Sequence, residues 1–143
     1  MSYAKKVRTK TLPSGARFFA TPFPSRDIVS ISGSIKGGAR LAGSSEFANI
    51  HAAMLLEGTS KRSKKEIQEY LDTIGASLSF SSSSDRLNFS GYARPHNIPK
   101  LVALVAEILM HASFPSRELS VLKKRETANL TYAAQDTRTQ AGI

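Results

Sequence analysis

No cysteine occurs in the chain, which excludes a disulfide framework, a thiolate nucleophile and any cysteine-ligated zinc or iron–sulfur centre. A metal would have to be held by histidine and carboxylate. Long apolar runs are missing too, and no stretch approaches the roughly 20 residues of a membrane-spanning helix. The charged start Met1-Ser2-Tyr3-Ala4-Lys5-Lys6-Val7-Arg8 leads into alternating polar residues, not an apolar segment, so no secretory signal and a cytoplasmic location are expected. Acids are scarce, at 11 Asp and Glu against 20 Lys and Arg, for a net charge of +9. The imbalance is concentrated at the front: residues 1–45 carry eight Lys and Arg against Asp27 alone, while 46–143 carry twelve against ten acids. Such a surface suits nucleic acid, anionic lipid or an acidic protein, or is simply solvated. Nucleic-acid binding by stacking interleaves aromatics with cations. Phe18 and Phe19 instead alternate into a strand pattern and Phe23 sits among prolines, so nucleic acid is not the expected partner.

What is present fits one domain. A chain of 143 residues with 41% hydrophobic and 22% charged residues can bury a core. Residues 5–12 alternate, Leu12-Pro13-Ser14-Gly15 signals a turn, and Ala16–Thr21 follows, which together predict a β-hairpin. After the breaker Pro22-Phe23-Pro24-Ser25, Ile28–Ile35 is apolar at every second position and predicts a half-buried strand ending at Gly37-Gly38. The period then changes. Ser44 or Ser45 caps a helix over about 45–57, with Phe47, Ile50, His51, Met54 and Leu55 on its apolar face and Gly58 as its stop. Ser63 with Glu66 makes a capping box for a second helix, whose stripe is Ile67, Tyr70, Leu71 and Ile74. Ala76–Ser82 and Arg86–Ala93 predict two strands joined by a polar turn, and the serine content places one of them at a sheet edge. A strongly apolar helix follows Asn97, with Ile98, Leu101, Val102, Leu104, Val105, Ile108 and Leu109 facing the core. Ser116 opens a fourth helix with a thinner stripe of Leu119, Leu122, Thr127 and Leu130 and a solvated basic run Lys123-Lys124-Arg125. Thr139–Ile143 reads as the first turn of a further helix cut short, as in a truncated domain. The expected class is α+β: a two-layer sandwich with a largely antiparallel sheet and helices on one face.

Motifs for chemistry are thin. Helical zinc sites pair two histidines one turn apart with a glutamate between them, and His51, His96 and His111 make no such pair. His51 is expected as a packed core residue, while His96 and His111 sit at helix ends. No Gly-x-Ser-x-Gly elbow and no phosphate-binding glycine loop occurs. Glu46 and Glu57 are too far apart on their helix to work as an acid–base pair.

Four stretches carry a resemblance: Thr11–Arg17, Val29–Arg40, Met54-Leu55-Leu56-Glu57-Gly58-Thr59-Ser60-Lys61-Arg62-Ser63, and Leu71–Ser79. Across nearly the whole chain they resemble the N-terminal domain of the pitrilysin/insulinase family. That family holds zinc metallopeptidases, mitochondrial processing peptidase subunits and core subunits of the respiratory ubiquinol–cytochrome c reductase. The resemblance implies an α+β half-domain that stops short at its C-terminal end, and it adds the mitochondrial matrix as a second possible location. In active members the helix before Met-Leu-x-x-Gly-Thr carries His-x-x-Glu-His. Aligned on Met54 and Gly58-Thr59, the first ligand falls at Asn49, the base at Ala52 and the second ligand at Ala53. His51 falls at a non-ligand position, and the third ligand lands at or beside Asn129, with Glu126 the nearest acid. The resemblance thus implies a catalytically inactive homologue without zinc, acting as the non-catalytic partner or peptide-binding subunit of a catalytic subunit or as a homo-oligomer, with a structural assembly subunit and, ranked last, an active zinc endopeptidase as the alternatives. The family's substrate-binding edge strand falls at Ser79, Phe80, Ser81 and Ser82, where an extended peptide could add to the sheet.

Overall fold

The computed structural model describes residues 7–22 and 27–141, the side chains at 129, 130 and 133–141 lying outside that description. Pro13-Ser14-Gly15 turns the chain, with the Leu12 N–H donating to the Ala16 carbonyl at 2.8 Å. Strand β1 (Arg8–Thr11) therefore pairs antiparallel with β2 (Arg17–Ala20) as a separate two-stranded ribbon. The predicted breaker at 22–25 falls, after Pro22, outside the described residues. Beyond it, β3 (Val29–Lys36), β4 (Ser77–Ser82) and β5 (Arg86–Ala93) form an antiparallel sheet in the order β3-β5-β4.

Register sorts this sheet into two unlike faces. Ser30, Tyr92 and Ser77 lie side by side, then Ser32, Ser90 and Ser79, then Ser34, Asn88 and Ser81. Because successive side chains point to opposite faces, the other face carries Ile31, Gly91 and Leu78, then Gly33, Phe89 and Phe80. A Cβ on Gly33 would lie 2.4 Å from the Phe89 ring, so the ring crosses the strand where only glycine leaves room.

The apolar face is covered by helices, confirming the α+β arrangement. These are α1 (Ala39–Ala42), α2 (Ser45–Met54), α3 (Lys64–Ile74), α4 (Ile98–His111) and α5 (Ser116–Ala141). Helix α2 packs on β4, α1 and α5, and α4 packs on β5. Between the layers lie Leu55, Ile67, Leu71, Ile74, Leu78, Leu101, Leu104, Val105 and Ile108, each large side chain contributing about 1.5–3 kcal/mol of burial. The Ser63 capping box is complete, and Gly75 ends α3 in the left-handed conformation. Asn97, buried, donates from Nδ2 to the Ile74 carbonyl at 2.8 Å and so satisfies one of the open carbonyls at the end of α3.

The structure corrects five expectations. Helix α2 stops at Met54, not 57, and the short α1 precedes it. Phe47 is 59% exposed and His51 is exposed; α2 buries Ala48, Ile50, Ala52 and Met54 instead, since neighbours on several sides replace a single apolar stripe. Val102 on α4 is likewise exposed. Thr127 faces solvent and returns its hydroxyl to the Lys123 carbonyl at 2.9 Å. Thr139–Ala141 belong to one continuous 26-residue α5, not to another helix; no glycine or proline interrupts 116–141.

Candidate functional site

Helix α2 is positioned from its N-terminal side by a backbone clip. The Gly37, Ala39 and Arg40 N–H groups donate to the Asp85, Ser83 and Ser84 carbonyls at 3.0, 3.0 and 2.8 Å. Gly38, at φ +83°, is the hinge of this clip, and a Cβ there would stand 2.2 Å from the Ser83 carbonyl oxygen. The Ser44 side chain then caps α2 by accepting from the Phe47 N–H at 3.2 Å. The Glu46 carboxyl is held below its ordinary value by backbone hydrogen bonding at this helix start, with the Ser44 and Ser45 hydroxyls adding to it, so this acid is engaged in capping.

Asn49, Ala52 and Ala53 stand at i, i+3 and i+4 and share one side of α2. Asn49 and Ala53 are exposed, whereas Ala52 is buried at 3%. Two positions on from Asn49, His51 points to roughly the opposite side of the helix and stacks on Phe114 with ring centroids 5.4 Å apart. Phe114 holds a positive φ of 46°, a costly conformation for an aromatic residue. Helical zinc-peptidase motifs set two histidines and a glutamate on one side of the helix. One amide and two methyl groups do not fit that ion, and among the described residues no three His, Asp or Glu side chains converge. The side chain of Asn129 is outside the described part, while Glu126 on α5 is half-buried.

The serine content places one of the two strands at a sheet edge and the resemblance puts that edge at Ser79–Ser82; β4 is an edge strand paired only with β5 among the described residues. Ser79 and Ser81 are exposed on the outer face, the Ser79 and Ser90 hydroxyls lying 2.9 Å apart. Phe80 and Ser82 are half-buried on the inner face, where Phe80 meets Phe89 at 6.3 Å. At the Ser82 end, β4 comes together with α1 and α2 around a small cleft of about 230 Å³ that also touches Leu41, Ala48 and His51. The structure therefore brings the edge strand and α2 to one place.

A polar cluster that sequence reading did not pick out fixes the far end of α2. Thr59, buried, donates its hydroxyl to Glu107 of α4 at 2.8 Å and accepts from the Lys61 and Arg62 N–H groups. Arg62 pairs with the other Glu107 oxygen and lies over the Tyr70 ring at 4.9 Å. Burial by itself pushes the Glu107 carboxyl up. Hydrogen bonds from Thr59 and Arg62, with the charges of Arg62 and Lys61, more than reverse this and hold it below its ordinary value. The Met54–Ser63 segment is thus a structural clamp from α2 to α3, anchored on α4. The one signal available in the sequence was Glu107 as the lone acid in an apolar helix.

With this geometry in place, comparison with known proteins decides the family. The model of the insulinase family, peptidase family M16, matches residues 24–142. The chain belongs to that family. No curated protein matches its sequence significantly. Among solved structures, this M16 chain is similar to a peptidase M16 inactive domain from Pseudomonas fluorescens, with a TM-score of 0.80 at 20% identity over 90% of the chain and 32% of that one. It is also similar to a protease from Helicobacter pylori, with a TM-score of 0.70 at 19% identity over 83% of this chain and 29% of the other. A variant of the ferredoxin protease FusC, solved in complex with Arabidopsis ferredoxin, gives a TM-score of 0.72 at 18% identity over 85% of this chain and 14% of FusC. At these identities the likeness is one of fold, and the M16 chain spans a third or less of each structure's length. Among the described residues no helix is long and apolar enough to cross a membrane.

Proposed function

We propose that this M16 chain is a non-catalytic domain that serves as partner or peptide-binding subunit to a catalytic member of its family. The observation that carries the reading is the side of α2 formed by Asn49, Ala52 and Ala53. Ala52 can neither take a proton from water nor bind metal, and a lone amide does not hold zinc against solvent. The likeness to an inactive M16 domain supports the same reading. In place of hydrolysis, the free edge of β4 at Ser79, Phe80, Ser81 and Ser82 receives an extended peptide through main-chain hydrogen bonds, a mode that needs no catalytic side chain.

The test is reconstitution. The purified chain is assayed for zinc content and peptide hydrolysis, alone and mixed with a family member that carries intact His-x-x-Glu-His. The expected outcome is no bound zinc and no hydrolysis alone, faster hydrolysis in the mixture, and slower hydrogen exchange of the β4 amides when peptide is added. Stoichiometric zinc with chelator-sensitive hydrolysis by the chain alone overturns the proposal. Stable incorporation into a complex with no peptidase activity moves the function to assembly.

A further inference from the structure

The outer face of the three-stranded sheet and the β1–β2 ribbon together form an open cleft of about 1010 Å³, whose lining reaches Ser81 of the β4 edge strand. Arg17 and Phe19 enter from the ribbon; Ser34 and Lys36 from β3; Arg86 and Asn88 from β5. Register makes Lys36 and Arg86 direct neighbours, two like charges placed side by side where each disfavours the other. Arg86 donates to the Ser34 hydroxyl at 3.3 Å, and its nearest acid is Asp85, at 4.0 Å with both side chains exposed. Among the described residues no carboxylate lines the cleft, and three cations with a set of hydroxyl and amide groups face it.

We infer that this cleft binds an acidic polypeptide segment of a partner protein. Charge complementarity supplies the attraction. The geometry selects polypeptide: the polar residues repeat at every second position along β3 and β5, about 6.8 Å apart, which is also the repeat of same-side carboxylates on an extended chain. Stacking of nucleic-acid bases needs free aromatic faces. Phe89 instead sits on the inner face against Phe80, and Phe19, although 58% exposed, already has the Arg17 guanidinium over its ring at 5.9 Å.

The experiment measures fluorescence anisotropy of a labelled peptide of alternating Glu and Ser with the full chain at low salt. Its probes for comparison are the Gln–Ser peptide and a single-stranded oligonucleotide of equal charge. The expected result is saturable binding of the Glu peptide that weakens with salt, none of the Gln peptide, and about a tenfold loss in the Lys36→Gln/Arg86→Gln variant. A Lys123→Gln/Lys124→Gln variant on α5 removes the same net charge elsewhere and keeps wild-type affinity; circular dichroism checks that both variants fold. Equal losses in the two variants mean attraction by net charge alone and overturn the inference. So does tighter binding of the oligonucleotide, or no binding of the Glu peptide. The cleft shares Ser81 with the β4 edge, so the readout that separates the two proposals is the Lys36→Gln/Arg86→Gln loss, which main-chain pairing with β4 does not require.

Discussion

Replacing Glu107 by glutamine keeps the shape of the clamp between the α2–α3 connection and α4 while deleting its charge. Two terms set the cost. The Thr59 hydroxyl, 2.8 Å from a carboxylate oxygen, would donate to a neutral acceptor, a loss of about 1 kcal/mol. The pair with Arg62 contributes about 0.5–1 kcal/mol, because the Arg62 side chain is 32% exposed and solvent screens it. The sum is about 1.5–2 kcal/mol at neutral pH. With an unfolding entropy of about 2.1 cal/mol/K per residue over 143 residues, this corresponds to a Tm lowered by about 5–7 °C. The pH dependence gives the sharper test. Glu107 is held below its ordinary value in the folded chain, so its contribution is complete above the unfolded carboxyl pKa of about 4.3 and fades as pH falls through the folded value. Glu46 and Glu66 are depressed as well, but both proteins share them and they cancel in the difference. Thermal melts of wild type and Glu107→Gln from neutral to strongly acidic pH should show a gap that is widest near neutrality and narrows below about pH 4.3. A gap of the same size at both ends would show that Glu107 acts through packing, not charge.

Two further outcomes follow from α2 and its clip. Ala53→His alone is expected to leave the chain without zinc-dependent peptide hydrolysis, since Asn49 and Ala52 are unchanged; chelator-sensitive cleavage by this variant refutes the account of the helix face. Gly38→Ala forces a left-handed backbone on alanine and sets its Cβ against the Ser83 carbonyl, costing about 2–4 kcal/mol. Urea titration measures that loss, and hydrogen exchange should place it at the Ala39 and Arg40 amides that close the clip.

Local signals were legible where the cause is local. The Ser63–Glu66 box, the Leu12–Gly15 turn and the period-two pattern of Ile28–Ile35 each act within a few residues, and each element formed where expected. The face of α2 was misread because Phe47 and His51 follow helical spacing, while burial is decided by β4, α1 and α5 packing from several directions. Thr59, Arg62 and Glu107 escaped notice because 45 or more residues separate the donors from the acid. At the candidate site, Asn49, Ala52 and Ala53 were located through family resemblance, as nothing in their spacing alone marks them. The cations of the outer cleft were visible as a basic first third, but only strand register joins Lys36 to Arg86.

Ala52 makes one position of α2 intolerant of change. Asn49 and Ala53 face solvent, so side chains there can change with little effect on folding. Position 52 is different: it is 3% exposed, and a carboxylate placed there would have to be buried without a partner or push α2 off its neighbours. A single substitution that sets an acid at this point of α2 is therefore opposed by stability itself. Any larger polar group at position 52 would need the packing around α2 to loosen first.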